Sequence, residues 1–561
     1  MSAESHSLSL DARLKAVAAP SIDRTALARL ALVILVALAI ALRLEPILVE
    51  PSAVWGDEIF QTMEPAHRLV YGNGLLPWEF QLGVRSWLMP GVIAGLMELS
   101  RIAGDGPDFY LPLIALSFAT LASAPVVCCF LWARTLFGVA GALVAGMVVA
   151  VSPELVYFGA RTLSEVVAGH LLIVALYALA PGWRVTARRR LLLGGALLGL
   201  VVVSRIQLAP AVVVAALWAN WRFDRRRFIA ISVGAAAVLI AAGLLDAVTL
   251  GYPFASIWRY VIYNLYYGVS ATFGVEPWSY YFLGELGLWA GAGATLLLLA
   301  TLGAWRMPLL LALAAVILLI HSGIAHKEYR FIYPAVLLIA VLSGFGLAQM
   351  VGWAREWMIG RGIPQSRAAL LSTALALVWW GLASLQVWTG PPLTAPRERM
   401  RDSLAAASYV AHRPSPCRIG LYGLAGEDWV VYGGYTHFHR PAPIYWPPDE
   451  DALIAAAAGF NTLLYMQPPP AALGFTTLLC IGKVCIAERA GSCRWIPPTP
   501  LPLPDAVTDA KAKQSLALTD ERLRRRGETD PTGLNPKSTT TADLQPTVRN
   551  ERPGLWSRSY V

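Results

Sequence analysis

The sequence predicts a polytopic α-helical membrane protein with a small α/β domain at its C-terminal end. Three observations predict this. The chain of 561 residues has a mean hydropathy of +0.55, with 56% hydrophobic and only 14% charged residues, where soluble domains carry about 25% charged residues. Apolar runs recur throughout residues 26–390. Arginine clusters fall in short gaps between those runs, at Arg184–Arg190, Arg222–Arg227 and Arg355–Arg367, as cytoplasmic loops require.

The apolar segments lie near 26–47, 110–133, 138–157, 163–181, 190–204, 207–221, 229–250, 284–304, 307–324, 331–352 and 368–390, eleven in all. A span needs ~20 apolar residues to cross ~30 Å of hydrocarbon. An odd count puts the two ends on opposite sides. With the polar residues 1–25 inside, all three arginine clusters fall inside, and the loops at about 48–109, 251–283 and 321–330 fall outside with the C-terminal region. Segments 190–204 and 207–221 are short, which predicts a broken or re-entrant hairpin around Ser204–Gln207. Residues 85–103 read as an amphipathic helix lying in the interface. The first apolar run lacks a small-residue cleavage site and reads as a retained helix.

Beyond Pro391 the composition changes. Residues 391–496 read as the α/β domain, with a helix at 400–412, strands at 417–425, 428–438 and 461–467, and a helix at 450–458. Residues 497–561, rich in Pro, Thr and charge, are expected to be disordered. Cys417, Cys480, Cys485 and Cys493 fall in the domain and suggest disulfides in an oxidising space. Zinc is the rival, with a C-x4-C-x7-C spacing unusual for it. Four cysteines allow three complete pairings. The net charge of +9 and pI of 9.3 are explained by loop arginines, so nucleic acid is not expected as a partner.

The candidate chemistry lies on the external side. Asp57 and Glu58 stand just after the first span, with Glu64, His67, Arg68, Trp78, Glu79 and Arg85 in the same loop. A carboxylate there is a candidate general base, and Trp offers a flat face to a sugar ring. A helix cap or a salt bridge is the plainer alternative for the acidic pair. His326, Lys327 and Arg330 place cations where positive charge is disfavoured, which suits a lipid phosphate, with snorkelling as the alternative. The loop from Gly251 to Glu285 holds seven Tyr and two Trp, together with Asn264. It fits an interfacial aromatic belt and a carbohydrate platform equally. Asp246, near the end of a span, is costly there and expected to have a role. Glu154, Arg161 and Glu165 read as an Arg–Glu pair tying helix ends, and Arg205 as a phosphate contact or a carboxylate partner. No nucleotide-binding fingerprint is present, so the donor of any transfer is expected to be lipid-linked.

These motifs carry a resemblance. Asp57-Glu58 with Phe60-Gln61, Glu64-Pro65-Ala66-His67-Arg68, Trp78-Glu79 and Arg85-Ser86 resemble the first lumenal loop of glycosyltransferase family 22. His326-Lys327-Glu328 with Arg330-Phe331 and Pro334 looks like its HKExRFxxP signature. Arg161–Glu165, Asp246, Gly251-Tyr252, Asn264, Gly274, Pro277-Trp278 and Tyr281 follow in the family's order, over about residues 45–350. The resemblance implies a GT-C fold and a dolichyl- or polyprenyl-phosphate-mannose-dependent α-mannosyltransferase. It implies inverting transfer to a hydroxyl of a glycan or glycolipid, Asp57 as base with Glu58 beside it, and no metal or cofactor. Donor phosphate would meet His326, Lys327, Arg330 and Arg205; substrate would meet His67, Arg68, Trp78, Glu79, Arg85, Asp246 and Asn264. High Ala, Arg and Gly content suggests a bacterial inner membrane with the site facing the periplasm and an undecaprenyl or decaprenyl carrier. A GT-C transferase of another sugar, a carrier or flippase for lipid-linked sugars, and a non-catalytic scaffold subunit remain alternatives.

Overall fold

The computed structural model describes residues 24–512 apart from 180–186, 221–223, 290–291, 415, 499 and 502. Residues 1–23 and 513–561, and with them most of the expected terminal segments, lie outside the described residues.

Among the described residues five helices are long and apolar enough to cross a membrane, and seven if two sharply bent pairs each count as one span. The helix Pro107–Val151 has 45 residues and breaks at Gly138, whose φ of 75° is open to glycine. At 1.5 Å per residue it measures about 68 Å, twice a bilayer, so the break separates the two segments expected at 110–133 and 138–157. The pair Pro153–Gly159 and Ser164–Leu179 bends by 114°, and Tyr280–Trp289 and Gly293–Ala304 by 108°. Shorter apolar helices Ile206–Ala219 and Pro308–Gly323 complete the bundle. Arg188–Ser204 ends at Arg205, whose extended backbone separates it from Ile206–Leu208, as the short segments implied. A 13-residue helix, Leu88–Ser100, forms within the stretch expected to lie in the interface.

The C-terminal region is a five-stranded mixed sheet in the order β2-β1-β3-β5-β4. The strands are β1 (Ile419–Tyr422), β2 (Ile444–Tyr445), β3 (Thr462–Tyr465), β4 (Thr476–Ile481) and β5 (Val484–Glu488). β1 pairs in parallel with β2 and β3, while β5 runs antiparallel to β3 and β4. Two expectations, on the stretch 428–438 and on the stretch after 497, are corrected, and the expected disulfides form. The stretch 428–438 forms two short helices, Asp428–Val431 and Gly434–Phe438. The Asp428 carboxylate accepts from the backbone N–H of Leu424, and Gly433 and Gly434 take positive φ, which a strand does not allow. The cysteines form Cys417–Cys493 and Cys480–Cys485 disulfides, which leaves no thiolates for zinc. The stretch after 497 is not wholly unstructured: Val507 and Ala510 are buried against Trp78, Val84, Tyr263 and Val269.

The domain is not independent of the membrane part. Ala53, Ile59, Phe60 and Leu75 of the first loop share one apolar core with Leu404, Ile419, Val430, Leu464 and Ile486. The buried Glu64 carboxylate accepts from the backbone N–H of Leu75 at 2.7 Å, the backbone N–H of Thr436 at 2.6 Å and the Thr436 hydroxyl at 2.5 Å. Tyr110 donates to the Thr436 carbonyl.

Opening Cys417–Cys493, which spans 76 residues of sequence, is expected to lower stability by about 2–5 kcal/mol. Opening Cys480–Cys485, which spans 5, should cost less because it closes a far smaller loop. Thermal unfolding of the paired Cys→Ser variants in detergent checks the order.

Candidate active site

Asp57 opens the helical segment after the first loop's entry. Trp55, just before it, stacks on Phe158 with centroids 5.6 Å apart, and Gly56 lends its carbonyl to Ile59 and Phe60. Glu58 turns the other way. Its carboxylate takes both oxygens to Arg161 at 2.9 and 3.0 Å, and Arg161 also donates to the Ser52 carbonyl at 2.7 Å. Glu58 is 4% exposed and lines no cavity at Asp57. Glu58, expected beside Asp57 in catalysis, is thus placed away from the cavity and ties the loop to the bend at 159–164.

Asp57 turns toward Arg330 and the cavities beside it. It and Arg330 stand in the shared wall of two adjoining cavities. The larger has a volume of 460 Å³ and is lined by Trp78, Glu79, Arg85, Arg205, Asn264, His321, His326 and Glu328, with Ile206, Pro210, Val261, Leu265, Ile320 and Ile324 on its apolar sides. The smaller, 90 Å³, is rich in polar side chains, among them Thr62, Ser86, Ser164, Ser204, Gln207 and Ser256.

Arg330 is fully committed. Its Nη2 donates to Asp57, its Nη1 to Glu165 at 2.8 Å and its Nε to Glu328 at 2.6 Å. The structure thus places Arg330, expected as a phosphate contact, in the cavity wall with all three kinds of N–H already engaged by carboxylates. Burial works to raise Glu328, but Arg330 and His326 outweigh it and hold it well below the usual carboxylate range. Burial likewise lowers His326, and Glu328 at 3.0 Å outweighs that, so its imidazolium is favoured. Lys327 donates to the carbonyls of Ile324 and Glu276, the latter at 2.9 Å, and is absent from both cavity walls. It pins two loops together, correcting its expected phosphate contact.

The cations left facing the larger cavity are Arg205 and Arg85. Arg205 is 5% exposed, lies 3.6 Å from Glu165 and stacks on Phe331. The Nε atoms of Arg205 and Arg85 are buried with no hydrogen-bond partner. Glu79 lies across from Asp57. Burial, reinforced by the Asp57 charge, pushes its carboxyl up to about 7, and Gln61 donates to it at 2.8 Å. Trp78 stacks on Phe273 beside Asn264 in the same wall.

Three expected substrate contacts lie elsewhere. His67 meets the Asn73 carbonyl at 2.6 Å and His439 at 3.1 Å, in the seam with the C-terminal domain. Arg68 donates to the Gly74 carbonyl. Asp246 accepts from the backbone and hydroxyl of Ser256 at 3.0 and 2.6 Å and so caps the helix Ala255–Tyr260. Gln61, Gln207 and Tyr260 also line both cavities; in the sequence they stood only as part of a motif, a break and an aromatic loop, because uncharged polar residues do not announce a site until the fold gathers them. Among the described residues no group of three or more His, Cys, Asp or Glu is placed to hold a metal ion.

Burial lowers His67 from 6.5 to about 4, so the folded protein favours the neutral ring. Its contribution to stability is complete above pH 6.5 and is lost as pH falls toward 4, where the unfolded chain binds the extra proton. The unfolding midpoint measured from pH 7.5 to 4.5 should therefore fall more steeply in the wild type than in His67→Gln.

Several known proteins are similar to this chain. GPI mannosyltransferase 3 of Yarrowia lipolytica is 30% identical over 406 residues, covering 70% of this chain and 72% of that protein. GPI alpha-1,2-mannosyltransferase 3 of Homo sapiens is 25% identical over 432 residues, covering 73% and 71%. These relatives come from a yeast and a mammal, and the bacterial source read from composition finds no support in them. Among solved structures, ArnT from Cupriavidus metallidurans bound to undecaprenyl phosphate superposes with a TM-score of 0.53 at 15% identity, over 83% of this chain and 99% of that one. The shared fold is GT-C, and the chain is a multi-pass membrane glycosyltransferase. The sequence model of the Alg9-like mannosyltransferase family matches residues 33–389, and the chain belongs to that family.

Proposed function

We propose that the protein transfers a sugar, mannose by the names of its relatives, from a polyprenyl-phosphate donor to a hydroxyl of a glycan or glycolipid. The observation that carries this is the position of Asp57. One oxygen is held by Arg330, and the residue stands between a small polar compartment and a larger one with apolar sides, with two underused arginines, Arg85 and Arg205, lining both. The lipid chain enters along Ile206, Pro210, Leu265 and Ile320, and its phosphate meets Arg205 and Arg85, with His326 beside them. The acceptor hydroxyl approaches from the polar compartment. Asp57 takes its proton, the oxygen bonds to the anomeric carbon from the face opposite the phosphate, and the C–O bond to phosphate breaks with its electron pair leaving on phosphate. The anion departs unprotonated because the arginines stabilise the developing charge. Inversion at carbon follows from that single displacement.

The site is proposed to face an extracytoplasmic space. Arg188–Arg190 and Arg225–Arg227 lie at helix ends remote from Arg205 and Asp246, as cytoplasmic arginines should. The two disulfides belong to a domain packed on the catalytic loop, which suits an oxidising compartment.

The test supplies purified protein in nanodiscs with labelled polyprenyl-phosphate mannose, glucose or arabinose and extracted glycolipid acceptors. Transfer is expected from the mannose donor. Asp57→Asn should lower turnover by about 10²–10⁴-fold while donor binding persists; near-normal activity in that variant removes Asp57 as base. Arg205→Ala should raise the donor KM by about 10- to 100-fold, the size of one charge-assisted hydrogen bond, with Arg205→Lys between the two. Movement of donor lipid across the bilayer without any transfer would favour a carrier instead.

A further inference from the structure

Glu154 does not pair with an arginine. It lies 2% exposed beside Glu285, at the polar end of an apolar cavity of 130 Å³ on the far side of the Tyr329–Ile332 turn from Asp57. Among the described residues neither carboxyl forms an ion pair. Trp289 donates from its indole nitrogen to one Glu154 oxygen at 2.8 Å. The Tyr329 hydroxyl lies within hydrogen-bond distance of the other Glu154 oxygen and of Glu285, the latter at 2.7 Å.

The phenol lies within hydrogen-bond distance of both carboxyl groups but has a single hydrogen, so one carboxyl must supply a proton for both contacts to be hydrogen bonds. The indole is a donor only and faces Glu154. Glu154 therefore has two donors within reach, the indole and the phenol, and Glu285 has one, so the anion is better supported on Glu154 and the proton on Glu285. A two-carboxylate site with one proton also avoids placing two like charges side by side in a medium of low dielectric.

We propose that Glu154, protonated Glu285 and Trp289 form a clamp on Tyr329 that positions Arg330 against Asp57. Tyr329 is the residue before Arg330, and its ring is held on both sides, by the carboxyl groups at the hydroxyl and by Phe158 stacked 6.3 Å away. Phe158 in turn stacks on Trp55, two residues before Asp57. The clamp therefore fixes both partners of the Arg330–Asp57 pair without touching the cavity that holds them. Tyr281, in the wall of the same small cavity, Arg43 and Tyr333, beyond Glu154, and Glu328, beside Tyr329, are the other titratable groups nearby. These are positioning residues, and the kinetic part of the proposal rests on Asp57 being the base.

The experiment compares Glu285→Gln, Glu154→Gln and Tyr329→Phe in nanodiscs, by infrared spectroscopy and by transfer kinetics. A glutamine amide donates as the neutral acid does. Glu285→Gln should therefore keep kcat within about threefold of wild type while losing the deuterium-sensitive carbonyl band of a buried neutral carboxylic acid. Glu154→Gln and Tyr329→Phe should lower kcat at least about tenfold with donor KM little changed, and Glu154→Gln should not simply delete that band. Absence of the band in the wild type, its survival in Glu285→Gln, or tolerance of Glu154→Gln with loss in Glu285→Gln overturns the proposal. The infrared outcome does not depend on turnover. An active Asp57→Asn with the band still assigned to Glu285 would overturn the base assignment alone.

Discussion

The structure turns on the guanidinium of Arg330. Three carboxylates converge on it, and each comes from a different part of the chain: Asp57 from the first loop, Glu165 from the bend after Gly159, and Glu328 from its own turn. The group is almost fully buried, with Arg330 at 2% exposure. Charges removed from water in this way are stable only when every partner is present, because loss of one leaves the others uncompensated. The cluster thus ties three segments far apart in sequence to one point. It also sets what Arg330 is unable to do. A cation whose three kinds of N–H are all engaged by carboxylates is a poor receptor for a further anion, which is why the arginines with unpaired nitrogens, Arg205 and Arg85, carry the phosphate role in the proposed reaction.

The first loop is held at two further points, and these explain the C-terminal domain. Glu58 is bound to Arg161 at the bend, and Glu64 to Thr436 in the domain. Between those anchors the loop contributes Ile59 and Phe60 to the domain's own core, with Phe60 edge-on to Trp429 at 5.0 Å. Asp57 sits one residue from the first anchor and is directed away from both. A loop free at either end would leave a carboxylate to find its geometry anew in each turnover. Displacement at carbon tolerates little misplacement of the base. In the proposed reaction the domain is therefore part of the framework that holds Asp57.

Much of the fold was legible because hydrophobic length is a robust signal. The break at Ser204–Gln207 and the helix near Leu88 were visible as shortened apolar runs. The split at Gly138 lay between two segments read separately. The stretch 428–438 misled because Val430, Val431 and the alternating aromatics mimic a strand, while the turn-forming pair Gly433-Gly434 and Asp428, whose carboxylate folds back onto the Leu424 N–H, say otherwise. Of the site, Asp57, Trp78, Glu79, Arg85, Arg205, Asn264, His326 and Arg330 do line the cavity. His67, Arg68 and Asp246 do not, since a charged or aromatic residue in an external loop looks the same whether it faces substrate or holds a seam. Lys327 shows the limit best. It adjoins two true cavity residues, yet the turn aims its ammonium at backbone carbonyls.

The charge pattern of the cavity supplies a reason for its carboxyl groups to differ. Asp57 and Glu79 face the same space, but only Asp57 has a direct cationic partner; Glu79 has the neutral amide of Gln61. Unequal support of this kind separates the roles that two adjacent acids can play. With Glu79 pushed up to about 7 by burial and by Asp57, its proton is retained at neutral pH more easily than that of an ordinary glutamate. A neutral Glu79 adds a hydrogen-bond donor without adding a second negative charge. In the proposed reaction that matters, because a phosphate enters the same cavity and its charge must be met by Arg85 and Arg205 rather than opposed by a second carboxylate. The same economy of charge governs the buried pair behind Tyr329, where one proton keeps two glutamates together.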